Sequence, residues 1–438
     1  MNRQTSITLA LLCAVIIAAF AAGCAEQATT DEVRIGVVAS MTGPASTTGK
    51  DIWQSAVLAA DEINAEGGVY VAELGKKVPI TLVQGDDEST REGGQKAVSR
   101  LITQDGVNIL VGGFSSAVVS AHQSIVAEHK VPYIITGAST PTITRRTDID
   151  TSMMFHYCPT TDDYGEQTTL FVDDALRSAL ATEFGYPEDR PLRLAIIYQD
   201  SPYGKGVQSA VTRTIEEQNL SIEIVAEESF KMGETDFRTP LTAVKATQPD
   251  VIYPATFLNE QIPLVTQARR DVGLDTIFLA VECNDDPDYY AGVGTFGEYS
   301  VIESRFSPYT IPKGPLETSV SAFRDSYQAR WGASPSMMGA STYEGVYIAK
   351  AAIESAGTLE KGAVTGALTT IEIPQIIEPM QDGTIRFTPD YREAKFELYM
   401  EQLFWDEAVA DLRPRIIWPE TQSETEFVLP EWYVPGPP

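Results

Sequence analysis

Basic residues are scarce in this sequence: 32 Lys and Arg stand against 61 Asp and Glu, a formal charge of −29. A surface that negative repels phosphate backbones, which excludes nucleic-acid binding. It describes instead a soluble, self-repelling surface suited to salt. Histidine is rarer still, with only His122, His129 and His156. Their spacing matches no metal-ligand pattern, so no metal is expected. His122 and His129, about two helical turns apart, read as helix-surface residues. No GxSxG, no P-loop and no metal cluster occurs, so the sequence offers no enzyme chemistry and implies no cofactor.

Long apolar runs are missing except at the start. Arg3 precedes an uncharged stretch from Ile7 to Ala22, short for a membrane span and normal for a secretory signal. It ends in AAGC, then EQATTDE. The pattern resembles a lipoprotein processing site, with residues 1–23 as signal peptide and Cys24 as the lipid-bearing first residue. The departure is Ala21, where such sites more often carry Leu, so an uncleaved anchor or ordinary cleavage stays open. Under each option the bulk of the chain is exported. Cysteine is equally sparse: Cys13 leaves with the signal and Cys24 takes the lipid. Cys158 and Cys283 remain, as two thiols or as one disulfide, since an oxidising compartment allows either.

What is present is a rhythm. From residue 32, near-continuously apolar strands such as VRIGVVAS alternate with amphipathic helices such as GKDIWQSAVLAADEINAEGG. On that helix Ile52, Ala56, Ala60 and Ile63 share one face. The rhythm restarts after residue 160, with LRLAIIYQD, SIEIVAEESF, DVIYPATF and TIFLAVE as strands. This pattern predicts an α/β fold of two doubly wound, parallel-sheet lobes. The C-terminal third returns to complete both. The expected division gives lobe one residues 31–157 plus 305–388 and lobe two residues 158–304 plus 389–418. Residues 419–438 form an irregular, Pro-rich tail.

In such sheets ligands sit beyond the carboxyl ends of the strands. Lobe one offers Gly-, Ser- and Thr-rich ends, above all GGFSSA (Gly112–Ala117). There glycines permit close approach, and Ser115 and Ser116 open a helix whose unpaired N–H groups favour an anion. The same serines could simply cap the helix. Lobe two ends its strands near Tyr203, Phe257 and Glu282. Hydroxyls on one side and a carboxylate with aromatics on the other suit a zwitterion, with its ammonium at Glu282.

The ordered segments IGVVASMTGPAS, LAADEINAEGGV, ITLVQGDDEST, VNILVGGFSSA, VPYIITGASTP, YQDSPYGKG, DFRTPL and PDVIYPATF carry a resemblance over residues 32–405. The chain resembles the extracytoplasmic solute-binding proteins of branched-chain amino acid ABC importers, of the leucine/isoleucine/valine-binding type and the type I periplasmic binding fold. The resemblance implies two lobes joined by three crossovers, closing on a small-molecule ligand, and a membrane permease as partner. It implies that Ser116, with Ser115 beside it, Ala138 and Thr140 hold the ligand's α-carboxylate. Asp163 or its neighbours line the entrance to lobe two, Tyr203 and Phe257 place rings against the ligand, and Glu282 receives the α-ammonium. The sequence departs from the family where Thr48 replaces a frequent aromatic and Phe257 a tyrosine. The loop TGASTP is one residue short, so Ser139 and Thr140 can exchange roles. The lobe-one disulfide of some members has no cysteines here. The ligand expected is an amino acid or close analogue; amides, urea-like molecules, aromatic acids and a sensor role are the alternatives.

Overall fold

The computed structural model describes residues 31–187, 189–310 and 314–437. The expected signal peptide, residues 1–23, and the expected lipid site Cys24 lie outside the described residues. Among these, no helix is long and apolar enough to cross a membrane.

Two sheets organise the chain from Val33 onward. The first holds β1 (Val33–Ala39), β2 (Ile80–Asp86), β3 (Ile109–Gly112), β4 (Tyr133–Ile135) and β5 (Met154–His156), in the order β2-β1-β3-β4-β5. All its pairs are parallel. The second holds β6 (Leu192–Gln199), β7 (Ile222–Phe230), β8 (Val251–Ala255), β9 (Ile277–Ala280), β10 (Val301–Ser304), β11 (Tyr399–Asp406) and β12 (Asp411–Trp418). Its order is β12-β11-β10-β9-β8-β6-β7. The expected parallel sheets are present, and the second carries an antiparallel edge. β11 runs antiparallel to β10, and β12 runs antiparallel to β11 because a short turn joins the two with no crossover helix between them.

The central strands are buried on both faces, which is why they read as unbroken apolar runs. Helices cover them: α1 (Ser46–Ala65), α2 (Arg91–Thr103), α3 (Ser116–His129), α4 (Thr161–Phe171), α5 (Pro202–Glu217), α6 (Leu258–Gln267) and α7 (Met337–Ala356) are those that bear on the site. The face predicted on α1 is buried, with Ile52, Ala56, Ala60 and Ile63 all in the core. His129 is exposed as expected, but His122 is fully buried. Gly94 of α2 admits it, since a Cβ there would stand 3.2 Å from the His122 ring nitrogen Nδ1. Burial holds that ring neutral, its pKa lowered to about 3.

The chain leaves the first sheet after His156, leaves the second after Ser304, and re-enters it at Tyr399. The crossings are bonded to each other. The His156 N–H donates to the Arg392 carbonyl at 2.8 Å, and the Ala394 N–H to the His156 carbonyl at 2.9 Å. Residues 419–437 carry no helix or strand, yet they are docked. The Tyr433 hydroxyl donates to the Asp250 carbonyl (3.0 Å), the Gly436 N–H to the Asp250 carboxylate (2.7 Å), and Arg190 to the Pro437 carbonyl (2.7 Å).

Candidate functional site

The carboxyl ends of the two sheets meet at a small cavity. From the first sheet come Phe114, Ser116, Gly137 and Ser139; from the second come Tyr203, Phe257, Val281 and Cys283. Tyr164 of α4 and Met338 of α7 complete the wall. The space within is about 10 Å³, the scale of a single water.

Local sequence explains each placement. β3 ends on Gly112 and Gly113, both at positive φ, where a Cβ would stand 2.4 Å from the Val38 carbonyl and 2.2 Å from the Tyr133 hydroxyl respectively. That tight turn delivers Phe114 to the cavity. There its ring meets Phe257 of the other side, centroids 4.6 Å apart. Phe257 in turn stacks on Tyr203 at 5.2 Å and 22°. The three rings close the cleft by direct contact, a geometry aromatic pairs favour.

Ser115 holds the N-cap position of α3, but its side chain makes no capping bond. The Ser116 hydroxyl accepts the Thr140 N–H at 3.1 Å, tying α3 to the loop after β4. Its own proton is left to donate, so capping does not consume it. Ser139, and not Thr140, reaches the cavity; Thr140 pairs its hydroxyl with Thr142. The Ala138 N–H donates to the Gly113 carbonyl at 2.9 Å, and the Ala138 carbonyl faces His156 and Cys158. Ser115, Ala138 and Thr140 therefore support the wall without forming it.

Two expectations change, and the choice left open for the cysteines is made. Asp163 lies away from the cavity, in the capping box of α4, where it accepts from the Thr160 N–H at 2.7 Å and pairs with Lys395 at 3.3 Å. Cys158 and Cys283 are both free and buried. Cys158 contacts the Ala138 carbonyl, and Cys283 the Thr256 carbonyl and Tyr203 hydroxyl. Each thiol is thus engaged with its own side of the cleft.

Glu282 is the second change. It follows β9 as predicted and is fully buried, but it does not line the cavity. One carboxylate oxygen accepts the Tyr164 hydroxyl, the other the Arg305 guanidinium. Burial pushes its pKa up to about 7 against the opposing pull of Arg305 and Tyr164. Arg305, from the second crossing, is itself fully buried. It also donates to Glu378 (2.8 Å) and Ser341 (2.7 Å), and lies 4.6 Å over the Phe396 ring. Beside them, neither carboxyl oxygen of Glu303 has a hydrogen-bond partner among the described residues, and burial raises that acid well above the usual range.

Reading the sequence missed Phe114, Tyr164, Met338 and Arg305. Phe114 stood inside the GGFSSA motif and Tyr164 beside Asp163. Met338 and Arg305 come from segments whose return to the cleft only the tertiary fold reveals. Among the described residues no group of His, Cys, Asp or Glu is placed to hold a metal ion.

The Periplasmic binding protein family model matches residues 32–403, and the chain belongs to that family. The Leu/Ile/Val-binding protein BraC3 of Rhizobium johnstonii is 26% identical over 395 residues, spanning 90% of this chain and 97% of the relative. Among solved structures, the branched-chain amino acid transporter substrate binding protein LivJ of Streptococcus pneumoniae, in complex with isoleucine, superposes with a TM-score of 0.72. It shares 22% identity and covers 89% of this chain and 100% of its own. A solute binding protein of R. palustris in complex with benzoate gives the same TM-score of 0.72 at 14% identity, covering 92% of this chain and 99% of its own. The fold is that of the type I periplasmic binding proteins.

Proposed function

We propose that this chain is the extracytoplasmic capture component of an ABC-type importer. It holds a small carboxylic acid between its lobes, delivers it to a membrane permease, and is tethered through lipidated Cys24. The carrying observation is the cavity itself, at the carboxyl ends of both sheets. The Ser116 hydroxyl and the start of α3 stand on one side, and the Tyr203 and Phe257 rings on the other. The carboxylate of the ligand takes the helix start, whose partial positive charge favours it, and its apolar body takes the rings. An amino acid or close analogue is the ligand that the Leu/Ile/Val-binding relative and the isoleucine complex favour. The ring stack and the benzoate complex favour an aromatic acid as the second reading. Capture, and not catalysis, is supported by walls that hold no acid–base pair.

Lobe one is assigned residues 31–157 with 305–388, and lobe two residues 158–304 with 389–418. A space of about 10 Å³ admits no amino acid, so the ligand enters by separation of Phe114 from Phe257. It then stabilises the closed form because only there do both sides touch it. A thermal-shift screen of amino acids and aromatic acids tests the reading. A ligand at a hundredfold excess over its Kd stabilises by about 2.7 kcal/mol. Ser116→Ala should weaken that ligand by about 1.5–3 kcal/mol, the range for a hydrogen bond to a charged acceptor. An unchanged Kd by calorimetry would remove the carboxylate from α3.

A further inference from the structure

We infer that the cavity selects a carboxylic acid carrying no ammonium group, and that Arg305 sets this preference by holding Glu282. The inference rests on the proposed carboxylate capture at α3 and narrows the class of ligand, away from the amino acid that the relatives favour and toward the second reading.

An ammonium taken out of water needs a carboxylate or several acceptors to meet it. The cavity wall contains no charged side chain. Two carboxylates adjoin wall residues in the chain: Asp163, before Tyr164, is held by the Thr160 cap and Lys395, and Glu282, between Val281 and Cys283, has both its oxygens engaged. Tyr164 stands between them and the cavity: it lines the wall and turns its hydroxyl onto Glu282. Behind Glu282, Arg305 cannot easily swing away. Its three side-chain nitrogens bond Glu282, Glu378 and Ser341, and its face lies on Phe396. The guanidinium thus occupies, from inside the protein, the role that a ligand's ammonium would otherwise fill. The cleft side of the same region is aromatic and apolar, which suits a ligand body without charge. Arg305 touches no ligand; it acts on specificity through Glu282.

Matched ligand pairs that differ only by the ammonium isolate this effect: leucine against isocaproate, and phenylalanine against hydrocinnamate. By calorimetry on the wild-type protein, the des-amino acid of at least one pair should bind about tenfold or more tighter than its amino acid. An amino acid binding equally or more tightly overturns the inference while leaving carboxylate capture intact. If no member of either pair binds, carboxylate capture falls and the inference with it. Arg305→Met should shift the ratio of the two affinities toward the amino acid, and Arg305→Lys, which keeps a charge on Glu282, should restore it. Should the methionine variant not fold, Tyr164→Phe keeps the ring wall and frees one Glu282 oxygen, shifting the ratio the same way. A ratio unmoved in every variant that folds removes Arg305 and Tyr164 from specificity.

Discussion

Glu303 and Glu282 sit side by side in chemistry but not in circumstance. Glu282 is met by a guanidinium and a phenol; the Glu303 carboxyl has no hydrogen-bond partner among the described residues. Both acids are raised by burial, Glu282 to about 7 and Glu303 well above its usual value. In the folded chain they keep protons that the unfolded chain loses above the ordinary glutamate range. Their contribution to stability is therefore full at low pH and declines as pH rises, by about 1.4 kcal/mol per pH unit for each group across its window. Glu303→Gln fixes the neutral shape. It should weaken the decline of stability with pH above the ordinary glutamate range, read from urea midpoints at each pH. A variant with the wild-type pH dependence would show that the folded chain holds no extra proton at Glu303. His122, held neutral with a pKa of about 3, acts oppositely. It withholds a proton that the unfolded chain takes up, and so costs stability as pH falls below the ordinary histidine value.

Helix starts decided much of the site, and they divide sharply into those that cap and those that leave groups for something else. α4 is capped in full by Thr160 and Asp163, whereas Ser115 leaves α3 without a side-chain cap. Asp163→Ala should therefore cost about 1 kcal/mol of stability and leave ligand affinity unchanged; a loss of affinity with stability intact would return Asp163 to the site. At this scale the sequence was readable where a local rule sufficed. The apolar stripe of α1, the strand ends and the GGFSSA turn follow from periodicity and glycine chemistry. The resemblance pointed to Asp163 or its neighbours; Tyr164, the next residue, lines the cavity, while Asp163 caps α4, and a carboxylate three residues after a threonine has the same spelling whether it caps or binds. His122 was misplaced because its burial depends on Gly94 of another helix. Glu282 was located correctly, but its partner Arg305 is 23 residues on, in a crossing whose return to the cleft no local pattern announces.

Taken whole, the molecule is two α/β layers whose chain crosses between them and whose tail straps the base of the second. The antiparallel pair β11–β12 closes one edge of that sheet, and the tail covers the buried Arg190–Asp250 pair at 2.8 Å. Tyr433→Ala removes a buried ring and its bond to the Asp250 carbonyl. It should destabilise by about 3 kcal/mol or more, seen as a lowered melting temperature with ligand selectivity preserved. The cleft has a further use. Cys158 and Cys283 are the only cysteines after Cys24, both are free thiols, and Cys283 lines the cavity. In protein expressed without residues 1–30, alkylation of Cys283 should proceed only during excursions that part Phe114 from Phe257. Its labelling rate then becomes a stopwatch for gaping of the jaws, slowed by any true cargo in proportion to occupancy, with no dye or engineered probe required.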